Sequence, residues 1–69
     1  MPTLKQLRVS LGWTVTRLAE ESNLARQSVA SAEKGGTVQA TTAKALADAL
    51  SKGYGREIMV WQIEGLNIL

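Results

Sequence analysis

Cap residues and glycines divide most of this chain into short segments, each with the apolar spacing of an amphipathic helix. Thr3 can cap a first helix, which Gly12 ends. The apolar face of that helix consists of Leu4, Leu7 and Leu11. These caps, glycines and apolar spacings predict an all-α fold, a compact bundle of about five short helices.

The second helix begins at Thr14, which can act as its N-cap. Trp13, just before the cap, can pack on Leu18 as a hydrophobic staple. The inward positions keep the spacing i, i+3, i+4 and i+7 and are occupied by Val15, Leu18, Ala19 and Ser22. Residues 23–24 leave only a very tight turn before the third helix.

Glycines also mark the ends of the third and fourth helices. The third helix, about residues 26–34, is expected to stop at the glycine pair 35–36. The fourth is expected to stop at Gly53 and carries one apolar face, formed by Ala43, Leu46, Ala47 and Leu50.

The tail, residues 53–69, allows two interpretations. Its Ile, Val and Trp content favours a strand. A strand would place three residues on one face: Met59, Trp61 and Ile63. Gly65 followed by Leu66 is instead typical of a helix C-terminus, and we favour a fifth helix near residues 56–64. In either form the tail is too apolar to be free and must pack on the domain, a second subunit or another protein.

The length of 69 residues corresponds to one domain, residues 1–69. We divide it into a bundle over 1–52 and a packing or dimerisation segment over 53–69. With no Cys and no His, the chain lacks disulfides and the commonest zinc ligands, so we expect neither metal nor cofactor. Small domains without such aids often pair with a second copy, so a homodimer is expected. The dimerisation candidates are Ile58, Met59, Trp61, Ile63 and Leu66.

Hydropathy indicates where in the cell the protein is located, and charge indicates what kind of molecule it can bind. No apolar run approaches the roughly 20 residues of a membrane span, and the N-terminus lacks a signal-peptide core, so a cytoplasmic protein with no membrane partner is expected. Up to Lys52 there are seven basic and four acidic residues, within a formal net charge of +2 for the chain. This excess suits a polyanion partner without requiring one.

The third helix has few apolar residues and a polar outward stripe. Arg26 and Gln27 can reach hydrogen-bonding groups, and their neighbours are short: Ala25, Ser28, Ala30 and Ser31. Two short helices joined by a tight turn form a helix-turn-helix, in which the second helix enters the major groove of DNA while the first braces it.

The run from Leu4 to Gly35 resembles the lambda-repressor and Cro-type (XRE-like) helix-turn-helix family. The matching elements are Leu7-Arg8, Gly12-Trp13-Thr14, Leu18-Ala19 and Glu33-Lys34-Gly35, and the later "AKALADAL" is similar to the family's fourth helix. The resemblance covers about residues 3–51.

The resemblance implies roles for individual residues. Arg8, which lies on the inward side of the first helix and needs a partner there, is expected to pair with Glu33. Base contacts are expected from Arg26, Gln27, Ala30 and Ser31. Phosphate contacts are expected from Thr14, Thr16, Arg17, Ser28, Lys34, Thr37 and Lys44.

Two positions depart from the family pattern. Val15 stands where members often carry a phosphate-gripping glutamine, so that contact is missing or falls to Thr14 or Thr16. Ala25 stands where the third helix usually has a Ser or Thr cap, which forgoes about 1 kcal/mol.

The sequence thus predicts a regulator that binds specific double-stranded DNA, a repressor acting as a homodimer on a palindromic operator. The alternative is a protein-interaction module, such as an antitoxin-like binder, with the apolar tail as its interface. No serine has a histidine to activate it and no acid/base pair is apparent, so an enzyme with a small-molecule substrate is not expected.

Overall fold

Four α-helices and one pair of short strands account for the regular structure of residues 2–69, the part of the chain described by a computed structural model. The helices are α1 (Leu4–Ser10), α2 (Val15–Ser22), α3 (Arg26–Glu33) and α4 (Ala40–Tyr54). The strands are β1 (Thr37–Val38) and β2 (Asn67–Ile68), and a 3-10 turn, Val60–Gln62, lies between α4 and β2. The all-α prediction is therefore confirmed as the main architecture.

The two predicted threonine caps are confirmed. The Thr3 hydroxyl accepts from the Gln6 amide, and the Gln6 side chain accepts from the Thr3 amide, which completes a capping box. The Thr14 hydroxyl accepts from the Arg17 amide over 3.1 Å. Each cap satisfies amide groups that have no partner within the first turn of a helix.

The turn between α2 and α3 is as tight as the sequence predicts. Asn23 adopts the left-handed conformation with φ 58°, which asparagine tolerates better than most residues. The Leu24 amide then donates to the Ala19 carbonyl over 2.9 Å and ends α2. Leu18 of α2 and Val29 of α3 are completely buried, so the two helices share one core.

Gly53 does not end α4, and that prediction is wrong. The helix continues to Tyr54 and ends at Gly55, whose φ of +70° is the left-handed conformation of a helix C-terminus. A Cβ at position 53 would lie 2.8 Å from both Leu11 Cδ1 and Trp13 Cη2. Gly53 therefore permits close packing of α4 against the α1–α2 turn.

The α-helix expected near residues 56–64 is also wrong. The Ile58 amide donates to the Ser51 hydroxyl over 2.8 Å, which ties the start of the tail to α4 in place of a helical bond. The chain then makes only the 3-10 turn, and the Glu64 amide donates to the Pro2 carbonyl over 2.9 Å. Gly65, with φ +79°, leads into β2.

A strand does occur in the tail, but later than the alternative placed it. β2 pairs in parallel with β1, with Thr37 opposite Asn67 and Val38 opposite Ile68. The tail also contributes two core side chains, Ile58 and Ile63, each 4% exposed. No helix within residues 2–69 is long and apolar enough to span a membrane.

Candidate nucleic-acid interface

The third helix, α3, presents one face to the core and the opposite face to solvent. Val29 and Ala32 are buried. The remaining face consists of exposed Arg26, Gln27, Ser28 and Ser31 and half-buried Ala30. The sequence-predicted base-contacting residues therefore share one accessible helical surface.

Two open clefts lie beside α3. The α2-side cleft is lined by Thr14, Val15, Thr16, Ala25, Arg26, Gln27 and Ala30. The α4-side cleft is lined by Ala25, Gln27, Ser28, Ser31, Thr37, Val38, Gln39 and Thr42. Only Ala25 and Gln27 line both clefts, so Gln27 is the longest side chain on the crest between them.

The two longest polar side chains of this surface are free to contact a ligand. Within residues 2–69, neither Arg26 nor Gln27 makes a side-chain hydrogen bond or ion pair. Guanidinium and amide groups in this state can form paired hydrogen bonds with base edges, whereas short Ala30 and Ser31 let the helix approach closely.

Helix N-termini border both clefts. Thr14 caps α2 beside one cleft, and Gln39 is the N-cap residue of α4 beside the other. Gln39 makes no side-chain cap hydrogen bond, so the first amides of α4 remain available. The positive end of a helix dipole favours an anion, and phosphates on either side of a groove would meet both termini.

Arg8 and Glu33 form a bidentate ion pair between α1 and α3. Arg8 Nε lies 2.6 Å from Glu33 Oε2, and Nη2 donates to Oε1 over 3.1 Å. Arg8 Nη1 also donates to the Trp13 carbonyl over 2.8 Å. The side chains are only 11% and 9% exposed, so the pair holds α3 against α1 and the α1–α2 turn in a largely dry position.

The basic residues expected to contact phosphates, Arg17, Lys34 and Lys44, do not line the two clefts. Arg17 is paired with Glu21 over 2.9 Å and lies over the Trp13 ring, with 5.5 Å from its Cζ to the ring centroid. Lys34 lies outside both clefts, in a hollow at the C-terminal end of α3 that Glu64 also lines.

Lys44 also lies outside the two clefts, in a groove with Trp61. A hydrogen bond from its ammonium to Asp48 raises the pKa of Lys44, with a smaller contribution from the Asp48 charge itself. The structure therefore brings Thr14, Thr16, Ser28 and Thr37 to the clefts and leaves Lys34 and Lys44 elsewhere.

The sequence does not predict two polar residues of the α4-side cleft, Gln39 and Thr42. Both belong to the polar stretch that begins α4, and the helix-start signal after the glycine pair could have indicated them.

The expected dimerisation residues differ in how far they are buried. Ile58 and Ile63 belong to the core, Met59 and Leu66 are half-buried, and Trp61 is 71% exposed.

A family model described as helix-turn-helix matches residues 4–54, from the first residue of α1 to the last residue of α4. The chain belongs to this lambda-repressor-like (XRE-type) helix-turn-helix family of DNA-binding transcription regulators. No curated protein and no solved structure gives a significant match.

Proposed function

We propose that the chain is a sequence-specific regulator that inserts α3 into the major groove of double-stranded DNA and represses transcription as a homodimer on a palindromic operator. The observation that carries the proposal is the position of Gln27, unpaired and on the crest between the two clefts. The family membership supports DNA as the ligand.

In this proposal the exposed face of α3 supplies the base contacts. Arg26 suits the two acceptors of a guanine, and Gln27 suits the donor and acceptor of an adenine. Ala30 can touch a thymine methyl group, and the Ser31 hydroxyl can bond to any adjacent base edge. These contacts would determine the operator sequence.

Phosphate contacts would position the helix without selecting a sequence. Thr14 and Thr16 line one cleft, and Ser28 and Thr37 line the other, so the two sets can grip opposite phosphate backbones. The remaining candidates are Arg17, Lys34 and Lys44. Arg17 would exchange its carboxylate partner, Glu21, for a phosphate. Lys44 lies in the groove with Trp61 and would contact a phosphate only from the edge of the proposed dimer surface.

The proposed dimer surface is centred on Trp61, with Met59 beside it in the groove between α4 and the 3-10 turn and Leu66 further along the tail. When a partner covers an exposed tryptophan, a large apolar surface is removed from water, which contributes strongly to the free energy of association. Two subunits on half-sites one helical turn apart, about 34 Å, would combine their base contacts into one palindromic site.

The exposure of Trp61 also favours a second candidate function. The same fold could bind a different protein through the tail, as an antitoxin-like module does, with DNA binding secondary or absent. Selection from a random duplex pool separates the two candidates. A dimeric reader enriches a palindrome and binds it with an affinity that falls steeply as salt rises. Absence of binding at low salt, or binding without a preferred site, would contradict the regulator.

A further inference from the structure

The loop between α3 and α4, residues 35–39, forms much of the wall of the α4-side cleft. It packs directly on α3, because the Gly36 amide donates to the Ser31 carbonyl over 2.9 Å. A Cβ at position 36 would lie 2.5 Å from the Ser31 Oγ and 3.0 Å from the Ser31 carbonyl oxygen, so a larger residue would require the loop or the Ser31 side chain to shift. The loop therefore lies against one of the proposed base-contacting residues.

The opposite side of the same loop is held by the tail. The Asn67 side-chain amide donates to the Gly35 carbonyl over 2.5 Å, and the Leu69 amide donates to the Val38 carbonyl over 2.7 Å. Asn67 is also the β2 residue opposite Thr37 in the parallel pair. The tail thus contacts the loop at both ends.

The loop needs this support because it begins with two glycines. Gly35 has φ +88°, and consecutive glycines have more conformational freedom to lose than other residues. The tail that supplies the support is itself anchored, since Ile63 is buried and Thr3 pairs with Glu64 in an isolated parallel bridge.

We propose that Asn67 is a positioning residue for DNA binding: through the Gly35 carbonyl and the β1–β2 pair, it holds the loop where Thr37 and the first amides of α4 can contact a phosphate. Asn67 acts through the loop and reads no base. This inference rests on the proposed function and adds to it a role for the tail that is separate from dimerisation.

The test compares Asn67→Leu with Gln62→Met. Leu at position 67 has nearly the same shape but cannot donate to the Gly35 carbonyl. Gln62→Met is the matched control, because it removes another tail amide group, which accepts from the Met59 amide over 2.8 Å and does not contact the loop. The wild-type protein and both variants are then bound to the selected operator. Phosphate-ethylation interference identifies the phosphates that each protein needs for binding.

We expect Asn67→Leu to bind the operator roughly thirtyfold more weakly, as the loss of about one net hydrogen bond in each of the two loops of the proposed dimer implies. Interference should disappear at one phosphate per half-site, and base preference should remain that of the wild type. Gln62→Met should retain the complete interference pattern.

Amide hydrogen exchange of the free proteins provides a second measurement that does not depend on DNA. In Asn67→Leu, the amides of residues 36–39 should exchange faster while those of Leu18 and Leu46, in the core, remain protected. An unchanged interference pattern, or unchanged exchange in the loop, would overturn the role of Asn67. If the wild-type protein selects no operator, the proposed function fails instead, and the exchange result still decides whether Asn67 holds the loop.

Discussion

At the scale of single residues, the Arg8–Glu33 ion pair is more deeply buried than the Arg17–Glu21, Lys44–Asp48 and Lys52–Glu21 pairs. Its three hydrogen bonds join α1, α3 and the Trp13 carbonyl, and both side chains are about nine-tenths buried. An ion pair in this setting is costly to break on one side only, because the remaining charge has lost its partner away from water.

We predict that Glu33→Leu lowers the free energy of unfolding by about 3 kcal/mol, since Arg8 is left charged and unpaired. Adding Arg8→Met should recover part of that loss, because both charges are then removed. Urea unfolding of the two single variants and the double variant measures the coupling. If the two single effects simply add in the double variant, the pair contributes no coupling and this interpretation is wrong.

At the scale of elements, α3 begins without a side-chain cap. Ala25 has the extended conformation of an N-cap residue and is exposed, but its methyl group cannot accept from the first-turn amides. The helix with the proposed reading role is therefore less stable at its N-terminus than α2, which has Thr14 at the equivalent position.

We predict that Ala25→Ser raises the free energy of unfolding by about 1 kcal/mol, because the new hydroxyl can accept from an amide of the first turn. Gln39→Ser is the matched comparison, because α4 also begins without a side-chain cap, and this variant should stabilise the protein by a similar amount. Thermal unfolding followed by circular dichroism measures both. No stabilisation by either serine would contradict the assigned helix starts.

The elements also show how far the sequence can be interpreted. α1 to α4 could be predicted because each carries a local signal, such as the Thr3 and Thr14 caps and the apolar spacing. The tail could not, because its course depends on distant partners: Ser51 binds Ile58, and β2 pairs with a two-residue strand that no periodicity reveals. The role of Gly53 cannot be predicted locally either, because glycine is needed there for close contact with Trp13, 40 positions earlier in the chain.

At the scale of the whole molecule, two surfaces are separate in the structure. The clefts beside α3 involve residues 14–42, whereas the exposed Trp61 lies in the groove between α4 and the 3-10 turn. The sequence could indicate the outward stripe of α3, since helical spacing fixes it. It could not distinguish core residues from surface residues in the tail, where Ile63 is buried and Trp61 is exposed.

We predict that Trp61→Ser raises the dissociation constant of the dimer at least about thirtyfold, as removal of a central aromatic at an interface does. Val9→Ser is the control, because Val9 is a large apolar residue of α1 that is also more than half exposed, 56%. Sedimentation equilibrium over a range of concentrations measures the constant. A monomeric wild-type protein, or equal effects of both variants, would contradict a Trp61-centred dimer.

Operator selection with Gln27→Ala beside Gln39→Ala tests whether α3 contacts DNA bases through Gln27 and its exposed neighbours. We predict that Gln27→Ala weakens binding to the selected operator by about 1–3 kcal/mol and relaxes base preference at one position per half-site. Gln39→Ala, at the edge of the α4-side cleft, should leave the preferred sequence unchanged. If Gln27→Ala weakens binding to all sequences equally, or leaves the preferred operator intact, α3 does not read bases in the way proposed here.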